Sequence, residues 1–262
     1  MYIDMPSYVE EILEELLKKN IDAFLVGGSL RDILIGEIPQ DWDIASSAEP
    51  TQIAEIFKDK KVLKTGVRYG TITLVCSDGI VEITTFRSEG KYSNGRHPDW
   101  VEFEKDIERD LSRRDFTINA MAFNKEQGLI DPYGGIGDIK NKIIRAVGNP
   151  IARFTEDGLR MLRAVRFATV LDFAIESRTL EAIKSLVEKI NLISFERIKE
   201  EVYKILISPH ASRGIKLLVE TGLLKHILPE VFSSLFIKRN SFDYCLYLID
   251  NTPPFIELRL AS

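Results

Sequence analysis

Hydrophobic residues change their period partway along this chain. In YGTITLVCSDGIVEITTF, residues 69–86, apolar and polar residues alternate on either side of Ser77, Asp78 and Gly79, the pattern of two antiparallel strands joined by a tight turn. From Thr155 onward strands disappear. EDGLRMLRAVRFATVL, SRTLEAIKSLVEKI, SFERIKEEVYKILI and ASRGIKLLVETGLL repeat their apolar residues at helical spacing instead. The change falls at about Gly148. It predicts a mixed N-terminal domain of strands and helices followed by an all-helical region, an α+β chain overall.

The N-terminal part reads element by element. Ser7 followed by Glu10 spells a capping box, and Val9, Ile12, Leu13, Leu16 and Leu17 then give one apolar helix face. DAFLVGG predicts a buried strand running into a glycine turn, SLRDILI a short helix closed by Gly36, and DWDIA the next strand. A helix follows from Pro50 and Thr51. Between Arg87 and Trp100, SEGKYSNGRHPD is polar and without periodicity, a long exposed loop. A basic helix start near Arg113 and a turn-rich IDPYGGIGDIKNK complete this part.

Composition narrows the function classes. At 262 residues, 45% hydrophobic and 29% charged, the chain can bury more than one core and is not disordered in bulk. No signal peptide and no membrane span stand out. Cys76 and Cys245 match no metal or redox spacing, which predicts a reducing cytoplasm. His97, His210 and His226 are too few and too scattered for a zinc site or a histidine-rich hydrolase. A net charge of −5 argues against coating nucleic acid by charge alone. Local basic patches remain at Arg109, Arg113 and Arg114, and at Arg153, Arg160, Arg163 and Arg166.

Two short stretches carry chemistry. Gly27 and Gly28 sit between a strand and a helix, where backbone N–H groups and a helix N-terminus cradle phosphate, with Arg31 as countercharge. A tight turn without a ligand fits the same residues. Downstream, QDWDI places Asp41 and Asp43 on one face of a strand and Trp42 and Ile44 on the other. Like charges about 4 Å apart repel by about 4 kcal/mol at an effective dielectric near 20, so the pair calls for a partner. In IVEITTF, Glu82 shares a face with Thr84, opposite Val81 and Ile83. Three carboxylates with no histidine make an oxygen-only set suited to Mg²⁺, and beside a phosphate turn they suggest two-metal phosphoryl or nucleotidyl transfer. Surface acids are the plainer alternative.

GGSLRD, DWD, IVEITTFR, RRDFTINAMA, DPYGGIGD, EDGLRMLRAVRFA and SFERI, in this order and spacing, resemble the class II tRNA nucleotidyltransferases, the CCA-adding enzymes of the DNA polymerase β superfamily. The resemblance spans roughly residues 22 to 210. It implies a polymerase-β-like nucleotidyltransferase head over residues 1–148, a helical neck for base recognition over 149–208 and the start of a helical body over 209–262. Asp41 and Asp43 would bind the two metal ions, with Glu82 supporting them. Gly27, Gly28, Ser29 and Arg31 would hold a triphosphate. Asp115 would accept a hydrogen bond from the ribose 2′-hydroxyl, and Arg114 and Asn119 would line the nucleotide pocket.

The implied partners are the tRNA 3′ end, CTP and ATP, with no membrane; the oligomeric state is not implied. On a continuous helix Asp157 and Arg160, three apart, face the same way and offer an acceptor beside a fork of donors. Cytosine and adenine present an amino group where uracil and guanine present a carbonyl, so in this family such a pair selects C and A without a template. By spacing alone it is an ordinary helix ion pair. Arg163 and Arg166 are expected at phosphates or in structural ion pairs. KYSNGRHPD matches the loop that the family associates with the switch from C to A addition and that CC-adding enzymes have shortened or altered, which favours complete CCA addition; the alternatives within the family are an A-adding or CC-adding enzyme or a bacterial poly(A) polymerase. A catalytically silent RNA-binding relative fits less well, since it has no use for clustered acids. SFERI reads as structural, with Ser194 capping a helix that Glu196 and Arg197 pin. The family pattern continues past this length, so the resemblance implies a fragment or a chain without the tRNA-anchoring tail.

Overall fold

The computed structural model describes residues 3–90, 100–235 and 241–261. It forms two compact units, one up to Ile139 and one from Lys140 onward. The first runs through α1 (Ser7–Lys18), β1 (Ala23–Val26), α2 (Gly27–Ile35), β2 (Trp42–Ser46), α3 (Pro50–Ile56), β3 (Lys61–Leu63), β4 (Thr71–Val75) and β5 (Ile80–Thr85). It continues with β6 (Arg87–Glu89), β7 (Val101–Phe103), α4 (Ile107–Ser112), β8 (Ala122–Asn124), β9 (Gly128–Ile130) and α5 (Gly135–Lys140). Seven strands make one sheet in the order β3-β4-β5-β2-β1-β8-β9. β2 and β5 are parallel and the other neighbours antiparallel. β6 and β7 pair separately.

All four residues of β1 are buried because both faces of the sheet are covered. Leu25 joins Ile44, Ile72, Val81 and Ile83 in a core closed by Val9, Ile12, Leu13 and Leu16 of α1. Phe24 and Val26 point the other way, into a smaller cluster with Ala45, Phe86, Ile107, Leu111 and Ala122. The same alternation in β2 sends Trp42 and Ile44 into the first core and leaves Asp43 on the opposite face. The strand thus anchors itself with one set of side chains and presents the other.

Most expected elements of this unit are present, including the β4–β5 hairpin and α2 closed by Gly36 at φ +86°. Two expectations fail. α1 has Pro6 at its N-cap with no side-chain cap, and Ser7 is already helical, so the capping box does not form. Such a box does close α3, between Glu49 and Gln52. The basic helix does not start near Arg113: α4 begins after Asp106, whose carboxylate accepts from Glu108 N, and Arg113 caps its C-terminus. Residues 91–99 of the polar loop lie outside the described residues.

The second unit contains β10 (Ile143–Ile144), α6 (Pro150–Glu156), α7 (Leu159–Val170), β11 (Ala174–Ile175), α8 (Ser177–Leu186), α9 (Phe195–Leu206), α10 (Ala211–Glu220), α11 (Leu223–Ile227), α12 (Pro229–Ser234), α13 (Ser241–Asn251) and α14 (Ile256–Ala261). Helices dominate as expected, but strands do not vanish. β11 pairs in parallel with β10 over two residues, too few to leave an alternating pattern. α7 is the central helix, with Met161, Leu162, Ala164, Val165 and Ala168 fully buried. No helix among the described residues is long and apolar enough to cross a membrane.

Candidate active site

The turn from β1 into α2 is built to bring charged side chains onto the backbone. Gly27 has φ +69°, where an L side chain is strained, and a Cβ there would lie 3.1 Å from Arg114 Nη1 and 3.3 Å from Asp43 Oδ2. A guanidinium and a carboxylate therefore close on the same glycine. At Gly28 the Arg31 guanidinium comes within 3.6 Å of the equivalent position. The N–H groups of this first helical turn have no intrahelical acceptor, and the helix dipole there favours an anion. Ser29 is buried and its hydroxyl is committed: Oγ donates to Val26 O at 2.8 Å and accepts from Asp43 N at 3.4 Å. That hydroxyl fastens the turn to β2.

Asp43 lies beside Glu82 in the parallel register of β2 and β5, with Asp41 just outside the strand. Burial pushes the Asp43 carboxyl up to about 6; Arg114 opposes the shift, Glu82 and Asp41 add to it, and Arg31 opposes it. A carboxylate repelled by two others and partly desolvated is relieved by a cation, and its oxygen-only neighbours suit a hard divalent ion. No three acids, histidines or cysteines among the described residues converge tightly enough to hold a metal by themselves. Mg²⁺ is ordinarily held by one or two carboxylates together with substrate phosphates, so the donors present fit such an ion.

RRDFTINA folds into one hydrogen-bonded turn alongside. Arg31 Nη1 donates to Asn119 Oδ1 at 2.8 Å, while its Nε and Nη2 hold Asp32 Oδ1 at 2.9 and 2.6 Å. Asn119 Nδ2 donates to Asp115 Oδ1 at 3.1 Å, and Phe116 N donates to the same oxygen at 2.8 Å. DPYGGIGD braces this turn from behind: Asp138 accepts from Thr117 Oγ1 at 2.7 Å, and Asp131 caps α5 through Gly135 N and Ile136 N at 2.7 and 3.0 Å.

Sequence reasoning missed Asp110. It is almost completely buried, and its Oδ1 takes Arg113 Nη2 at 2.6 Å while Oδ2 takes Arg114 Nη2 at 3.0 Å. Burial works to raise its pKa, and the charges and hydrogen bonds of Arg113 and Arg114 together hold it below the ordinary carboxylate value. Asp110 is thus what holds Arg114, and the i,i+3 and i,i+4 spacing to the two arginines was the available signal.

In the second unit, the expected pairing of Asp157 with Arg160 on one helix is replaced by another arrangement. The helix breaks at Asp157, which is extended at φ −140°; beside it Gly158 lies so close to Lys189 that a Cβ would meet its carbonyl oxygen at 2.9 Å. Asp157 Oδ1 accepts from Leu159 N at 3.0 Å and Oδ2 from Arg197 Nη2 at 2.8 Å, so SFERI supplies its cation. Arg160 Nη1 donates to Glu156 Oε2 at 2.7 Å and Arg153 O at 3.3 Å. Arg163 and Arg166 both pair with the buried Glu201 of α9, the former at 3.7 Å, and Arg166 lies 3.9 Å over the Phe167 ring. Ser194 stands at the N-cap of α9 without a side-chain cap bond.

Comparison with known proteins agrees with this construction. Residues 23–145 match the family described as "Poly A polymerase head domain", and residues 172–235 the family described as "Probable RNA and SrmB- binding site of polymerase A". A CCA-adding enzyme of Ligilactobacillus salivarius is 46% identical over 215 residues, covering 82% of this chain and 53% of that protein. One of Pediococcus pentosaceus is 45% identical over 222 residues, covering 84% and 56%. The chain spans about half the length of these curated relatives. Among solved structures, the Bacillus stearothermophilus CCA-adding enzyme in complex with CTP superposes with a TM-score of 0.81 at 37% identity, covering 96% of this chain and 59% of that one. The Thermotoga maritima CCA-adding enzyme complexed with tRNA gives 0.73 at 27% identity, covering 97% and 64%. By these matches and by its mixed-sheet first unit and helical second unit, the chain belongs to the class II family of poly(A) polymerases and CCA-adding tRNA nucleotidyltransferases.

Proposed function

We propose that this chain carries the catalytic part of an enzyme that adds CMP and AMP, from CTP and ATP, to tRNA 3′ ends in the cytoplasm, releasing pyrophosphate. The observation that carries the reading is the meeting of Asp43 and Arg114 at Gly27, with Glu82 in register beside Asp43. The backbone of Gly27, Gly28 and Ser29, with Arg31, takes the triphosphate. Arg114, held by Asp110, supplies positive charge where the leaving pyrophosphate gains negative charge. Mg²⁺ ions bound by Asp41 and Asp43, with Glu82 in support, would lower the pKa of the RNA 3′-hydroxyl for in-line attack on the α-phosphate.

Asp115 accepts the ribose 2′-hydroxyl, in a position fixed by Asn119, and Asn119 with Arg114 lines the pocket. In the helical neck, residues 149–208, Asp157 offers acceptors and Arg160 donors to the base edge, each kept in place by its own partner, Arg197 and Glu156. Arg163 and Arg166 serve this indirectly, by tying α7 to α9 through Glu201. Residues 1–148 would serve as the head, its compact unit itself ending at Ile139, and 209–262 would begin the body.

The test is incubation with a tRNA ending in its discriminator base, with CTP and ATP singly and together, reading the added sequence. Ordered addition of C, C and A supports the proposal. Addition of A alone, of CC alone, or of a long A tail reassigns the chain to an A-adding, CC-adding or poly(A)-adding enzyme. No incorporation with active controls refutes it.

A further inference from the structure

The second unit contains a cavity of about 680 Å³ that, among the described residues, none of the candidate active-site residues lines. It lies between the turn after β10 and α8, with Ala146, Pro150, Ile151 and Ala182 among its apolar wall. Its size falls within the range of small-molecule sites. The wall is fixed by hydrogen bonds: Ala146 N donates to Thr179 Oγ1 at 3.2 Å, and Thr179 Oγ1 donates to Glu176 Oε2 at 2.9 Å.

Charge decides what such a cavity selects. Arg145 pairs with Glu176 at 3.4 Å, and Glu176 is further held ionised, against the effect of its burial, by hydrogen bonds from Thr179 and Arg178. Arg178 and Glu181, three apart on α8, complete two cations against two anions among the described lining residues. A balanced set gives no net pull on a polyanion. An apolar wall bordered by a guanidinium and a carboxylate complements instead a planar heterocycle with donors and acceptors on one edge. We propose that this cavity binds a nucleobase carrying an exocyclic amino group, which donates to Glu181 while a ring acceptor takes Arg178 and the ring face covers Pro150 and Ile151. The source is a free nucleoside or an unstacked base of an RNA strand.

This site does not depend on the nucleotidyl-transfer reading, and its failure leaves that reading standing. The experiment follows the Ala146 and Ala182 methyl resonances of the full chain by NMR during titration with adenosine. Saturable shifts are expected, with ATP no more than about threefold tighter than adenosine, since the balanced charge gives phosphate no advantage. Inosine, with a carbonyl in place of the amino group, should bind at least about fivefold more weakly. Arg178→Ala, at an exposed position, and Ser185→Trp, which fills the cavity, should each weaken adenosine by about tenfold or more. A short single-stranded A-rich oligoribonucleotide that shifts these methyls at lower concentration than adenosine identifies a strand base; equal or weaker effect identifies the free nucleoside. Absence of shifts at millimolar adenosine, shifts unchanged in both variants, or ATP about tenfold tighter than adenosine overturns the proposal.

Discussion

Gly27→Ala separates strain at a glycine from function at that glycine. Its backbone at φ +69° costs a non-glycine residue about 1–2 kcal/mol. Gly36, at φ +86°, carries the same backbone penalty, yet a Cβ there meets nothing within 4 Å. At Gly27 the new methyl would instead sit 3.1 Å from Arg114 Nη1 and 3.3 Å from Asp43 Oδ2, so each must give by a few tenths of an ångström. Both alanine variants should therefore lower the thermal midpoint by about 2–8 °C, the shift expected of such a loss in domains of this size. Only Gly27→Ala should lose activity. A displacement of reacting groups of about 1 Å costs on the order of 100-fold, so a shift of tenths across two groups predicts a loss of about 10–100-fold in kcat/KM. The assay is incorporation of labelled CMP into tRNA, beside thermal melts of both variants. Equal activity of Gly27→Ala and Gly36→Ala at matched stability would refute the argument that the turn is glycine because charged groups converge on it.

Further outcomes follow from the buried ion pairs. Asp110→Asn leaves Arg113 and Arg114 without their shared carboxylate and should cost about 3–5 kcal/mol in denaturant unfolding, as other broken buried pairs do. Because the Asp110 pKa is depressed in the folded state, its contribution is present above the ordinary carboxylate value and lost as pH falls through the folded value; melts across the acid range should show wild type losing this increment and Asp110→Asn lacking it. Glu201→Gln should destabilise the second unit by a similar 3–5 kcal/mol or so in denaturant unfolding. Asp157→Ala and Arg197→Ala should each blur discrimination among CTP, ATP, UTP and GTP, and a double-mutant cycle on selectivity should return a coupling of about 0.5–3 kcal/mol; independent effects would remove Arg197 from the account.

What could be read from the sequence was what local spacing determines. The strand-turn-helix at Phe24–Ile35, the two-sided alternation of Trp42, Asp43 and Ile44 and the hairpin around Ser77–Gly79 all depend on neighbours in the chain, and all are present, though β2 begins only at Trp42 and leaves Asp41 outside the strand. What escaped depends on distant backbone or on competition for one group. Asp157 is extended beside Gly158, which packs against the distant Lys189 backbone, and helical spacing across EDGLRMLR gave no sign of either. The spacing of Asp110 to Arg113 and Arg114 is visible in the sequence, but its burial between their two guanidinium groups is not. Ser7 satisfied the capping pattern, yet the helix begins one residue too early for its hydroxyl to cap. Ser29 sits where a phosphate ligand is expected, but Val26 O and Asp43 N engage its hydroxyl first.

The claim on which the rest depends is that the carboxylates beside the Gly27 turn hold the metal that makes transfer possible. Asp43→Ala removes the carboxylate whose pKa burial raises while leaving Trp42 and Ile44 to anchor β2. The direct measurement is single-turnover CMP incorporation into tRNA by this variant across a Mg²⁺ titration, with its circular dichroism and thermal midpoint compared with wild type. The account predicts a folded protein whose rate falls by about 1,000-fold or more at every Mg²⁺ concentration. A folded variant with the wild-type rate and the wild-type Mg²⁺ dependence would contradict it.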